Sequence, residues 1–245
     1  MRAGDYLAAL RNLPLGTVDD LTGRRPFLVL SPHPDDETLG CGGLLAAAAN
    51  QDVPAHVLIL TDGVASHPGS SSYPAARLAA LRRDEARRAL ACLGLPEQRL
   101  GFLDLRDAAT PAGGPEFDAA VDAIARHAEA VGACRLFVTW GHDPHCDHET
   151  ASAMAREVAS RLGLRLLAYP VWGLHLPPEA QIDEAPPCGM RLDISAQRGR
   201  KKRALDCYAS QMTDLIDDDP TAFRFTAAQL APFIDSDEFY IEVVA

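Results

Sequence analysis

Short apolar runs alternate along the chain with longer stretches in which apolar residues return every three or four positions. The runs "RPFLVLS" (25–31), "AHVLILTDG" (55–63), "RLGFLDL" (99–105), "CRLFVTW" (134–140) and "LRLLAYPV" (164–171) read as strands, and their near-continuous hydrophobicity suits burial on both faces. Between them, "LGCGGLLAAAANQ" (39–51), "PAARLAALRRDEARRALACLGL" (74–95), "GPEFDAAVDAIARHAEAVG" (114–132) and "HETASAMAREVASRLG" (148–163) are Ala-rich and carry the helical period. Repeated strand, helix, strand units predict a mainly parallel sheet covered on both sides, a Rossmann-like three-layer α/β/α sandwich.

The length of 245 residues allows one large α/β domain or two small ones. The single-domain reading spans 1–245, with a core at about 25–212 and a C-terminal extension at 213–245. With 47% hydrophobic and 23% charged residues and no apolar run of eighteen, the composition is that of a folded protein without a membrane span. The opening stretch "MRAGDYLAALRNLPLGTVDD" lacks the apolar core of a signal peptide, so a cytoplasmic location is expected. The six cysteines are scattered without a Cys-x-x-Cys pair and read as reduced thiols. A net charge of −11 argues against a nucleic acid as the main partner. The one basic cluster, "RGRKKR" (198–203), reads as the solvated first turn of a helix ahead of an anion-attracting patch.

Two polar stretches follow strand ends, where open α/β sheets gather their reactive groups. They are "LVLSPHPDDETLGCGG" (28–43), past the first strand, and "TWGHDPHCDHETAS" (139–152), past the fourth. The fold should bring both to one edge of the sheet. His33 and Asp36 offer a nitrogen and an oxygen donor from one loop, and His148 adds a nitrogen from the other. That set leaves a coordination position open for water or substrate, as catalytic zinc sites do. Asp35, pointing away from its neighbour Asp36, is free to act as general base. His145 is placed to reach a polarised carbonyl or protonate a leaving amine, and Asp147 to hold an imidazole in one tautomer. Together these parts describe metal-assisted amide hydrolysis. A hydrogen-bonded turn without metal is the plainer alternative. Glu37 reads as support for the loop.

The pairing of "PHPDDE" (32–37) with "HCDH" (145–148) resembles the signature of the PIG-L/LmbE family of zinc-dependent N-acetylglucosaminyl de-N-acetylases. Weaker agreement extends through "RRDEARRALACLGL" (82–95), "FLDLRDA" (102–108) and "KKRALDCYASQ" (201–211). The resemblance implies one Zn²⁺ on His33, Asp36 and His148, for which other divalent ions can substitute. It also implies Asp35 as base, His145 as oxyanion stabiliser or acid, and Asp147 as orienter of an active-site histidine. Arg82 matches a sugar-contacting arginine, with Arg83 as the alternative, and Asp107 a carboxylate accepting sugar hydroxyls. Cys146 stands where the family most often has proline. The implied substrate is a small N-acetylated amino sugar or glycoconjugate that loses an acetyl or other short acyl group.

A metal-dependent hydrolase of another bond, such as a phosphoester, and a non-catalytic sugar- or metal-binding protein are the rivals. His142 reads as a loop histidine rather than a fourth ligand, and His56, His67, His127 and His175 as structural or surface groups. Trp140 and Trp172 read as core ahead of a sugar-stacking face, and "GCGG" (40–43) as small residues that let a helix pack closely. "TDGVASHPGSSSYP" (61–74) reads as a lid or a plain surface loop, and the Pro-rich 174–197 as a shaper of the acceptor side. A homo-oligomer is left open.

Overall fold

The computed structural model describes residues 1–243. Among these residues one sheet is formed by β1 (Leu15–Gly16), β2 (Phe27–Ser31), β3 (Ala55–Thr61), β4 (Leu100–Leu105), β5 (Arg135–Thr139), β6 (Arg165–Tyr169), β7 (Gly189–Leu192) and β8 (Glu238–Val243). The helices are α1 (Ala3–Arg11), α2 (Val18–Thr22), α3 (Asp36–Asn50), α4 (Ala75–Leu93), α5 (Gly114–Ala130), α6 (Cys146–Leu162), α7 (Arg198–Leu205), α8 (Ala209–Met212) and α9 (Ala227–Asp235). The five apolar runs hold β2 to β6, and the four periodic stretches hold α3 to α6.

Strand order across the sheet is β1-β7-β8-β6-β5-β2-β3-β4. All pairings are parallel except those of β8, which runs antiparallel to both β6 and β7. The stretch beyond residue 212, read from sequence as an extension, therefore supplies an interior strand.

The period of two explains the three layers. Along β2, Phe27 and Val29 join Leu44 and Leu45 of α3 and Leu90 of α4, whereas Leu28 and Leu30 join Ile124 of α5 and Met154 of α6. β3 repeats the split, with Val57 and Ile59 on the first side and Leu58 and Leu60 on the second. Each strand is hydrophobic at consecutive positions because both faces are covered.

Two glycines let α3 lie close to the sheet. A Cβ at Gly40 would sit 2.1 Å from the Tyr169 ring, and one at Gly43 2.2 Å from Ile194. Tyr169 in turn donates from its hydroxyl to the Leu30 carbonyl at 2.7 Å, tying β6 to β2 across β5.

The basic run differs from its solvated reading. α7 packs against α3 and α4, and this turns Lys201 inward, where its ammonium meets Glu238 Oε1 at 2.7 Å with both side chains buried. Glu238 also accepts from the Gly43 and Leu44 amides at 2.6 and 2.8 Å and from the Tyr240 hydroxyl at 2.7 Å. A buried lysine requires such a partner. No helix among the described residues is long and apolar enough to cross a membrane.

Candidate active site

The sheet order changes direction between β2 and β5: the chain proceeds from β2 to β3 and β4 on one side, while β5 and β6 lie on the other. Such a switch point opens a crevice at the carboxyl ends of the two strands. His33 to Glu37 follow β2 and His145 to His148 follow β5, so the topology itself brings the two polar loops together. Each loop runs into a helix N-terminus, that of α3 at Asp36 and that of α6 at Cys146. The positive ends of both helix dipoles favour the carboxylates gathered there.

Three donor atoms meet at one point. His33 Nδ1 lies 3.1 Å from Asp36 Oδ2, His148 Nε2 lies 3.2 Å from the same oxygen, and the two nitrogens are 3.3 Å apart. A tetrahedral ion with bonds of about 2.1 Å needs donors spaced at roughly 3.4 Å, so the triangle fits a small divalent cation closely. The outer nitrogen of each imidazole is held by carboxylates. His33 Nε2 meets Asp147 Oδ2 at 3.0 Å and Asp107 Oδ1 at 3.2 Å, and His148 Nδ1 meets Asp143 Oδ2 at 2.9 Å. Carboxylates on the far nitrogens fix ring orientation and leave the near lone pairs for a cation, the arrangement usual around metal-binding histidines.

The electrostatics follow from burial and pairing. Burial alone would lower the His33 and His148 pKa values, but carboxylates outweigh it. Asp107, Asp147 and Asp36 hold His33 well above its ordinary range, and Asp36 with Asp143 raises His148 to about 9. Asp36 and Asp147 are held below the usual carboxylate range against their burial, Asp36 chiefly by His148 and Asp147 chiefly by hydrogen bonds from His33 and Thr110. Asp35 moves the other way: burial pushes it up to about 8 against the pull of the Arg82 guanidinium.

Asp35 also has a left-handed φ of 141°, a sparsely populated conformation for a residue with a Cβ. It persists because its surroundings over-determine it. Its amide donates to Glu37 Oε2 at 3.1 Å, and Glu37 is fixed by Ser31 and the Tyr208 hydroxyl. Arg82, itself buried, donates to the Gly63 and Pro34 carbonyls at 2.9 and 2.7 Å and to Asp35 Oδ2 at 3.1 Å. The arginine read from sequence as a sugar contact thus clamps the Asp35 loop while also lining the cavity. Arg83 points elsewhere, paired with Asp104 and stacked over Phe102. Asp107 lines the cavity too, but both its oxygens are engaged, by His33 and by the Ala65 amide at 2.7 Å.

His145 caps α6, its Nδ1 accepting from the Asp147 amide at 3.2 Å. Burial and the neighbouring charges of His33 and His148 lower its pKa, which favours the neutral ring. With Nδ1 accepting, its proton sits on Nε2, ready to donate into the cavity that His145 lines. His142 stays outside this group, near Glu184.

Asp143 is the partner that sequence reasoning passed over. It is fully buried, accepts from the Val171 and Gly173 amides at 3.0 and 2.7 Å, and holds His148. Asp147 does the same for His33, with the Ala108 amide and Thr110 hydroxyl filling its remaining oxygen positions. The two tryptophans part company: Trp140 is core, stacked on Tyr6, and Trp172 lines the cavity with Phe223 and Phe225. The cavity volume is about 270 Å³.

The GlcNAc-PI de-N-acetylase (PIG-L) family profile matches residues 28–159, a range that includes both loops. The 2'-N-acetylparomamine deacetylase of Streptomyces fradiae is 30% identical over 212 residues, covering 80% of this chain and 70% of that protein. The N,N'-diacetylchitobiose deacetylase of Pyrococcus horikoshii shares the fold with a TM-score of 0.66 at 17% identity, over 90% of this chain and 84% of that one. So does the 4-carboxy-2-hydroxymuconate hydratase of Pseudomonas putida, with a TM-score of 0.60 at 24% identity over 76% and 80% of the two chains. The extent of the profile match, together with the Streptomyces relative, shows that this chain belongs to the PIG-L family.

Proposed function

We propose that the protein is a zinc-dependent N-deacetylase that removes an acetyl or other short acyl group from the nitrogen of an amino sugar or its glycoconjugate. The observation that carries this reading is the donor triangle of His33 Nδ1, Asp36 Oδ2 and His148 Nε2 beside a buried carboxyl, Asp35, at the floor of a cavity. His33, Asp36 and His148 would hold the ion. When bound, it supplies a Lewis acid that polarises the amide carbonyl and acidifies water.

The chain's own residues do the rest. Asp35 takes the proton from the attacking water; burial raises its pKa to about 8, and the Arg82 guanidinium pulls it back toward the ionised form that this step needs. His145 donates from Nε2 to the oxygen that becomes negative in the tetrahedral intermediate. Asp35 then returns its proton to the departing amine, and the products are acetate and the free amino sugar. Asp147 and Asp143 keep the two imidazoles in the tautomers this requires.

The phosphoester alternative needs a second ion about 4 Å from the first. The carboxylates near enough to hold it, Asp107 and Asp147, are already engaged by His33, backbone amides and Thr110, which favours a single-ion site. Relatives named as deacetylases of acetylated amino sugars support the substrate class. The hydratase is the counterweight, because its fold likeness carries no activity across. Acetate release from N-acetylglucosamine glycosides, abolished by a chelator and restored by Zn²⁺, is the expected result. Acetate release untouched by complete metal removal would refute the reading.

A further inference from the structure

The cavity that holds the polar cluster has an aromatic side as well. Trp172 stacks face to face on Phe225 with ring centres 5.3 Å apart and planes 1° apart. Phe223 stands edge-on to both, at 5.3 Å from Trp172 and 4.8 Å from Phe225. Trp172 and Phe223 are only partly buried, so this is a lined wall and not a sealed piece of core. Ser66 and Gln211 line the same space.

Phe223 and Phe225 come from the irregular segment 213–226, which is clasped to the serine-rich loop at 63–74. Asp218 accepts from the Ser70 and Ser71 hydroxyls at 2.6 and 3.0 Å and from the Ser71 and Ser72 amides at 3.0 and 2.8 Å. Asp219 accepts from the Gly69 amide at 2.7 Å. The Phe223 amide donates to the Ser66 carbonyl at 3.0 Å, and the Phe225 amide to the Gln211 carbonyl at 2.9 Å. The wall is therefore held in place by the loop whose reading was lid or plain surface, and that loop is anchored.

We infer that Trp172, Phe223 and Phe225 form a stacking subsite for the pyranose ring that carries the acyl amide, and so make the enzyme selective for cyclic sugars over open-chain amides. The inference rests on the deacetylase reading above. A pyranose ring has an apolar C–H face and a polar rim of hydroxyls, and the cavity has both characters: aromatic rings on one side, Arg82, Asp107 and His145 on the other. The Ser66 hydroxyl and the Gln211 amide are bonded to each other at 3.4 Å, and to Gly63 and Ser210 respectively at 3.1 Å each. An acyl-chain tube would be lined by apolar groups throughout, without Ser66 and Gln211. The volume of about 270 Å³ lies at the lower end for ligand pockets, so wall and polar floor must serve one ring together with its acyl group.

Two probes test this, the methyl glycoside of N-acetylglucosamine and open-chain N-acetylethanolamine, in a binding assay and in acetate release. Of the two tryptophans, Trp140 is packed in the core and Trp172 reports on the cavity. The glycoside should perturb tryptophan emission, and Trp172→Phe should remove that response. Phe223→Ala should weaken glycoside binding about tenfold and lower kcat/KM on it mainly through KM. It should leave the open-chain amide unaffected, and Phe223→Tyr should restore wild-type behaviour.

The subsite is refuted if Phe223→Ala leaves glycoside binding unchanged or harms both probes equally. It is also refuted if that variant instead alters the preference among acetyl, propanoyl and butanoyl groups on one sugar. Glycoside binding through Trp172 without any acetate release would overturn the deacetylase reading and leave the stacking contact standing. Acetate release insensitive to Phe223 would overturn the subsite alone.

Discussion

Asp143→Asn is the substitution that most sharply separates positioning from packing, because it changes hydrogen-bond polarity with almost no change in shape. In the wild type, Oδ1 takes the Gly173 amide at 2.7 Å, the Val171 amide is shared between Oδ2 at 3.0 Å and Oδ1 at 3.3 Å, and Oδ2 also takes His148 Nδ1 at 2.9 Å. With the asparagine NH₂ in the Oδ1 place the Gly173 amide loses its acceptor; with it in the Oδ2 place the Val171 amide keeps its longer bond to Oδ1 and the NH₂ faces His148 Nδ1. A buried unsatisfied donor costs about 1–3 kcal/mol, equivalent to a fall in Tm of roughly 2–12 °C for a chain of this size. If the NH₂ instead donates to His148 Nδ1, the imidazole proton must move to Nε2, the atom that completes the donor triangle. Loss of such a carboxylate partner typically weakens metal binding about 10- to 100-fold. Zn²⁺ affinity by competition with a chromophoric chelator, alongside thermal unfolding, reads both effects. Wild-type metal affinity in a folded Asp143→Asn protein would show that the Asp143–His148 contact does not set the tautomer.

Other substitutions probe the Asp35 loop, the packing of α3 and the buried Lys201–Glu238 pair. Arg82→Met removes the charge that lowers the Asp35 pKa, so Asp35 ionises at higher pH and the acid limb of the kcat/KM profile should move upward; an unmoved limb would separate Arg82 from Asp35. Gly40→Ala places a methyl group 2.1 Å from the Tyr169 ring and should cost about 1–3 kcal/mol, read from the shift in urea midpoint at constant slope. Lys201→Met leaves Glu238 buried without its cation, for which about 3–5 kcal/mol is expected; a neutral effect in the same unfolding assay would mean that the amide and hydroxyl donors to Glu238 suffice.

The sequence makes the parts of the fold that depend on local pattern legible. β2 to β6 are apolar at nearly every position because both faces are covered, and α3 to α6 carry a plain helical period. β7 and β8 escape that reading. "GMRL" is short and broken by a glycine and an arginine, and β8 owes its place to pairing with β6 and β7 rather than to a pattern of its own. In the site, His33, Asp35 and Asp36 are conspicuous because three ionisable groups crowd a strand end. Asp143 is silent by comparison, since its role is set by the amides of Val171 and Gly173, which only the fold brings near. The same holds for Lys201, whose partner Glu238 lies on a different element, and for Phe223 and Phe225, which sit in a stretch with no periodicity at all.

At the end of β2 the proposed chemistry divides between two neighbours, Asp36 binding the ion and Asp35 moving the proton. Asp35→Asn, assayed for bound Zn²⁺ and for acetate release in the same preparation, separates the two roles. About one ion per chain is expected, as in the wild type, with turnover reduced by at least roughly 100-fold. Full zinc occupancy with turnover near the wild-type rate would contradict that division.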